Sequence, residues 1–254
     1  MLFRSVFLAI TLMATNIVFA DVTEELTFEY SLDSGGRISV DNINGNITVI
    51  GGSGNSVEIV ATKKGDNQDV LDKINIAIDA STDAIRIETE YPDKNGKGWF
   101  SWGDGNRGSV NYVISVPSNA NLESIELING NIEINGVDGV VKAETVNGSI
   151  KAGGLSGNTR IETVNGSVTA TFASLSGQQK AICESVNGRL TINLPSDSNT
   201  SVSAETINGG IDGSDFGLKT NKGFIGRDLE GQIGNGSARL ALSTVNGAIK
   251  IKSN

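Results

Sequence analysis

The first residues in this chain whose type and spacing could do chemistry are carboxylates that recur three positions ahead of an Asn-Gly pair. They are Asp41, Glu126, Glu144, Glu162, Glu184 and Glu205, leading to Asn44, Asn129, Asn147, Asn165, Asn187 and Asn208. A seventh copy of the motif, at Asn246, has Ser243 in the acid's place. Stacked one above another, such acids could supply the oxygen ligands that Ca²⁺ takes, and paired carboxylates can also break glycosidic bonds. Like charges ~5 Å apart repel by about 1 kcal/mol per pair in water. The plainer and preferred role is therefore a solvated outer face, moderated by Lys142, Lys151 and Arg160 nearby. No cofactor is expected, and Ca²⁺ on Glu126, Glu144, Glu162, Glu184 and Glu205 is the one metal the pattern could take. An active site usually breaks a repeat locally, whereas these acids are part of one.

Other chemistry is narrowed by what the 254 residues lack. There is no His, which removes the commonest general base and the commonest metal ligand together. Ser-His-Asp and Cys-His nucleophilic sites are excluded with it. The single cysteine, Cys183, cannot form an internal disulfide and stands where Ile161 stands one unit earlier, so it reads as a small buried hydrophobe. Asn147-Gly148-Ser149 and Asn165-Gly166-Ser167 fit the glycosylation pattern formally. Recurrence of Asn-Gly in every unit favours a structural corner at Asn44, Asn129, Asn147, Asn165, Asn187, Asn208 and Asn246, with amides stacked in a hydrogen-bonded ladder. The stretch least like the repeat, Tyr91 to Ser109, carries Trp99, Phe100 and Trp102 in a Gly-rich, charged setting. Those rings either bind a sugar face or a protein, or fold back over apolar surface.

The elements that would position these residues follow from the repeat itself. Each unit reads apolar, acid, often Thr, β-branched, Asn-Gly, small or polar, then alternating residues, as in IETVNGSVTA and AETVNGSIKA. From Asn129 the steps are 18, 18, 22, 21 and 38 residues, and the last reads as two coils with one degenerate. A period near twenty with variable length at one connection is that of a solenoid. The fold class expected is all-β, a single-domain parallel β-helix or solenoid, right-handed by the crossover rule. The rival is a β-meander of Asn-Gly hairpins. It would pair Val146 or Val164, read as core, with polar Ser149 or Ser167. The inward set is read as Ala143, Val146, Ile150 and Ala152 in one coil and Ile161, Val164, Val168 and Ala170 in the next. Residues 121–254 are expected to form regular coils and 21–120 an irregular β-rich portion of the same domain. Lys250 and Lys252 look like guards on a terminal edge strand.

Residues 1–20 read as a signal peptide, with Arg4 before an apolar run and Val18 and Ala20 at the −3 and −1 positions. The whole chain carries a net charge of −9, which argues against nucleic acid or an anionic membrane as partner. No later segment is long and apolar enough to span a bilayer. The signal, the early GRISVDNINGNITVIGG, the central YVISVP, the tandem ETVNGS units and the late IGNGSARLALSTVNGAIKI together resemble the bacterial "putative adhesin" family. That resemblance covers nearly all of residues 22–254. It implies a β-strand-repeat domain of unknown function, exported to the periplasm or cell surface, with no catalytic residues to carry over. The leading expectation is a non-enzymatic envelope or surface protein whose partner is an envelope protein or a glycan. The alternatives are a carbohydrate-active β-helix lyase or hydrolase, and an envelope-stress accessory protein.

Overall fold

A computed structural model describes residues 22–91, 108–223 and 225–254. The segment read as a signal peptide lies outside the described residues. In chain order the strands are β1 (Val22–Ser31), β2 (Arg37–Asn44), β3 (Ile47–Gly52), β4 (Ser56–Gly65), β5 (Asn75–Ala80), β6 (Ala84–Glu90) and β7 (Ser109–Pro117). They continue with β8 (Asn121–Asn129), β9 (Ile132–Asn135), β10 (Val141–Asn147), β11 (Ile150–Leu155), β12 (Thr159–Asn165), β13 (Val168–Phe172), β14 (Lys180–Asn187) and β15 (Leu190–Leu194). The last are β16 (Thr200–Asn208), β17 (Ile211–Asp212), β18 (Asn221–Lys222), β19 (Arg227–Ile233), β20 (Ala238–Asn246) and β21 (Ile249–Ser253). A single helical turn, Gln68–Leu71, is capped by Asn67, whose side chain accepts from the Val70 N–H.

The protein is all-β, with two large mixed sheets, neither closed. The first runs β1-β4-β7-β3-β9-β11-β13-β15-β21-β17 and the second β18-β19-β16-β20-β14-β12-β10-β8-β2-β6-β5. In each Asn-Gly unit the strand before the pair enters the second sheet and the strand after it enters the first. Neighbouring units pair in parallel and in register, with Glu144 opposite Glu162, Asn147 opposite Asn165, and Ile150 opposite Val168. Hairpins at these sites are excluded because the flanking strands, such as β10 and β11, lie in different sheets. The motif at Asn44 joins the same stack, with Asp41 opposite Glu126. Beyond it at that end the pairing turns antiparallel, β1 with β4, β4 with β7, and β5 with β6.

Between the sheets lies a continuous apolar core running from Leu32 to Ile251. In the regular units it is built from Ile161, Val168 and Ala170, with Cys183, Leu190 and Ile192 in the next unit, all fully buried. The expectation that Val146 and Val164 point inward is corrected here. Side chains alternate along a strand, so an inward Ile161 sends Glu162 out, Thr163 in and Val164 out. Val146 is 39% exposed and Val164 40%, whereas Thr145 and Thr163 are buried. The buried hydroxyls find backbone partners: Thr163 Oγ1 donates to the Gly148 carbonyl at 2.8 Å, and Ser185 Oγ to that of Gly166 at 2.9 Å. A β-branched residue just before Asn-Gly looks like core by type, but the period of two puts it outside.

Two further expectations are corrected near the C-terminus. The 38-residue step does not hold a degenerate coil. It contains the short β17, a 3₁₀ turn at Ser214–Phe216, β18, and β19, which returns antiparallel to β16. The final strand is also not a sheet edge. The β20–β21 unit inserts between its predecessors, with β20 flanked by β14 and β16 and β21 by β15 and β17. Lys250 therefore lies within the first sheet, opposite Thr191 on one side and Asp212 on the other.

The glycines at the corners answer to crowding more than to handedness. A Cβ on Gly166 would sit 1.8 Å from the Gly148 carbonyl oxygen, and one on Gly188 would sit 1.7 Å from that of Gly166. Stacking at the strand spacing brings each corner's backbone onto the next, and only a residue without a side chain fits.

Candidate functional site

The side chains that leave the second sheet on its outer face fall into columns, because in-register parallel strands stack like positions ~4.8 Å apart. The acid column runs Asp41, Glu126, Glu144, Glu162 and Glu184 without a break, then Ser243, then Glu205. The break falls at Ser243 because β20 sits between β14 and β16. Sequence reasoning missed that the column continues beyond the Asn-Gly units, with Glu88 of β6 opposite Asp41 and Asp228 of β19 opposite Glu205. The signal for Glu88 was present, since Ile87-Glu88-Thr89 repeats Ile161-Glu162-Thr163. Thr89 is buried like the other threonines of that position.

Two residues along each strand, the residues before the Asn form a parallel apolar column. Val186 (41% exposed), Val245 and Ile207 (53%) continue the line of Val146 and Val164, and Ile128 and Ile43 are partly exposed at its other end. A groove of about 540 Å³ follows these two columns, lined by Asp41, Glu126, Glu144, Glu162 and Glu184 on one side and Ile128, Val146, Val164, Val186 and Val245 on the other. That size falls in the range of small-molecule sites.

The electrostatics of the groove are those of crowded carboxylates. Asp41 is held above its ordinary carboxyl pKa, first by partial burial and then by Glu126 and Glu88, with Arg86 opposing. Glu162 is raised as well, by partial burial and by Glu184 and Glu144, against the Arg160 guanidinium that pairs with it. Arg160 also lies 3.8 Å from Glu184 Oε2, and the Ser124 hydroxyl donates to Glu126 Oε1. Among the described residues, no three acid or Cys side chains come together as a metal-binding group.

Along the far border of the apolar column runs a chain of asparagine side chains. Asn129 Nδ2 donates to Asn44 Oδ1 at 2.9 Å, Asn147 to Asn129 and Asn165 to Asn147 at 3.0 Å each, and Asn187 to Asn165 at 2.9 Å. Asn246 donates to Asn187 at 2.7 Å and Asn208 to Asn246 at 2.8 Å, following the spatial order of the coils. At the β6 end Tyr91 takes the place that Asn holds in the repeat. Its phenol oxygen lies 2.8 Å from both Asn42 Oδ1 and the Asn44 carbonyl, which share its one proton. Asn42 is buried and spends its amide on the Asn44 and Val110 carbonyls. Burial raises the Tyr91 phenol strongly, so it remains a neutral donor. Cys183 is fully buried, and burial pushes its thiol up to about 12, which leaves almost no nucleophilic thiolate. Trp99, Phe100 and Trp102 lie outside the described residues.

No family model and no curated protein matches the chain. Solved structures do. A "putative cell adhesion protein" from Clostridium sporogenes ATCC 15579 is similar over 91% of this chain and 100% of that one, at 15% identity and a TM-score of 0.52. A "putative adhesin" from Bacteroides fragilis NCTC 9343 covers 90% and 97%, at 12% identity and a TM-score of 0.38. With the Clostridium protein the likeness is one of fold.

Proposed function

We propose that this chain is a non-enzymatic, exported protein of the cell envelope or surface, that its two alternating sheets are the walls of a parallel β-solenoid, and that it binds a partner through the outer face of the second sheet. The observation that carries this reading is the groove itself. Exposed valines and isoleucines scattered singly are ordinary, but a column of them continuous over adjacent strands and bordered by a column of acids is a binding surface. The acids belong to the repeat and are spread evenly along it, which suits an extended contact better than a point of catalysis. The description of the Clostridium neighbour as a "putative cell adhesion protein" agrees with a surface-binding role.

Fractionation of cells making the tagged chain tests export, with a mature N-terminus at Asp21 expected by mass spectrometry. Sedimentation of purified protein with envelope fragments tests binding. The Val146→Ser/Val164→Ser/Val186→Ser variant is expected to stay folded and to lose most co-sedimentation. Retention in the cytosol, equal binding by that variant, or turnover of a polysaccharide would overturn the reading.

A further inference from the structure

Resting on that reading, we infer that the occupant of the groove is a cationic amphipathic α-helix, lying across the strands along the stacking direction. The apolar column and the acid column are two parallel stripes, so the partner needs an apolar stripe beside a cationic one. A second copy of this chain would bring acids against acids, in a molecule that already carries a net charge of −9.

The spacing of the columns selects the partner's conformation. Rungs repeat every ~4.8 Å. A helix returns to the same face every ~5.4 Å, so residues at i, i+3, i+4 and i+7 fall close to successive rungs. An extended peptide presents one face every ~6.8 Å and loses the rung spacing after a single step. Across the groove, acid and valine stand two residues apart, ~6.8 Å. That matches neighbouring stripes on a helix ~10 Å wide. The groove spans six strands, from Asp41 on β2 to Val245 on β20. Five intervals give ~24 Å, the length of a helix of about 16 residues. Lys or Arg on one stripe would meet Glu126, Glu144 and Glu184, while Arg160 engages Glu162 in part. Leu, Ile or Val on the other stripe would cover Val146, Val164 and Val186, in the manner of helix-in-groove recognition.

Fluorescence anisotropy with the intact mature protein tests this, using a labelled 16-residue peptide with Leu on one stripe and Lys on the next. A scrambled peptide of identical composition serves as control. Expected are an affinity of order 10 µM, about tenfold weaker binding by the scrambled peptide, and a rise in peptide helicity by circular dichroism on binding. The Val146→Ser/Val164→Ser/Val186→Ser and Glu126→Gln/Glu144→Gln/Glu184→Gln variants should each weaken binding at least about tenfold, and added salt should weaken it in wild type. Equal binding of the scrambled peptide, binding without helix formation, or unchanged binding by both variants overturns the inference. A dimer in light scattering that the valine variant abolishes also overturns it, in favour of a second copy. Loss of envelope co-sedimentation by the valine variant without any helix binding would overturn this inference alone and leave the binding face in place.

Discussion

A single asparagine amide in the corner chain both donates and accepts, so its contribution depends on where it stands. Asn165 donates to Asn147 and accepts from Asn187, whereas Asn208 at the end donates only to Asn246. Net hydrogen bonds contribute about 0.5–1.5 kcal/mol each, with these at the low end because the side chains are exposed. Asn165→Ala should cost about 1 kcal/mol and Asn208→Ala about half of that, read as shifts in urea midpoint at constant m. Glycine at the same corners should be far less forgiving. Gly166→Ala drives a methyl to within 1.8 Å of a backbone oxygen that the stack holds in place. A loss of ~3 kcal/mol or more is expected. Gly210, with nothing within 4 Å of its added Cβ, should accept Ala within ~0.5 kcal/mol. Equal effects at the two positions in thermal melts would refute crowding as the reason for glycine.

At the scale of one strand and its neighbours, the acid column carries a pH dependence. Asp41, faced by Glu126 from β8 and by Glu88 and Arg86 from β6, has its pKa raised in the folded state. The folded protein therefore binds that proton more readily than the unfolded chain. Its ionisation costs stability above the raised folded value, and the cost is lost as pH falls through that value toward the ordinary 3.8. Asp41→Asn should be more stable than wild type at pH 7 by roughly 0.5 kcal/mol after solvent screening, with the gap closing below about pH 4. Melting curves of both proteins from pH 3.5 to 7 check the sign. The same element shows what the residues disclosed and what they hid. Parallel strands of like register were readable because Glu, Thr and Asn recur at fixed offsets. The exposed face was hidden because Val164 looks like core by type and Thr163 does not. Nothing local indicates that the Thr hydroxyl would be satisfied by a carbonyl of the neighbouring coil. Glu88 escaped notice because its unit lacks Asn-Gly and ends in Tyr91 instead.

For the molecule as a whole, the order of coils in space differs from their order in the chain. Sequence spacing alone cannot show this, since Asn246 pairs equally well with either neighbour by type. The β20–β21 unit follows both of the others in the chain, yet it separates β14–β15 from β16–β17. Its Ala238 N–H is bound to the Asn199 carbonyl at 2.8 Å, and Asn199 N–H to the Leu175 carbonyl at 2.9 Å, so the link before β16 is tied to the inserted strand and to the link that precedes β14. A chain ending at residue 237 thus loses an internal rung, not an end cap. β16 is left without its parallel neighbour, and the whole length from Thr200 to Asn208 loses its ladder on that side. Hydrogen exchange of that truncation should show protection lost through β16, β17 and β19 and retained in β10 to β13, which keep their own neighbours on both sides. If β16 stays protected, it has slid onto β14 in place of β20, a step that the matching Glu205-Thr206-Ile207-Asn208 and Ser243-Thr244-Val245-Asn246 runs make conceivable. The native coil order would then reflect the better fit of β20 than of β16 against β14, since β16 precedes β20 in the chain and could take that place when β20 is absent.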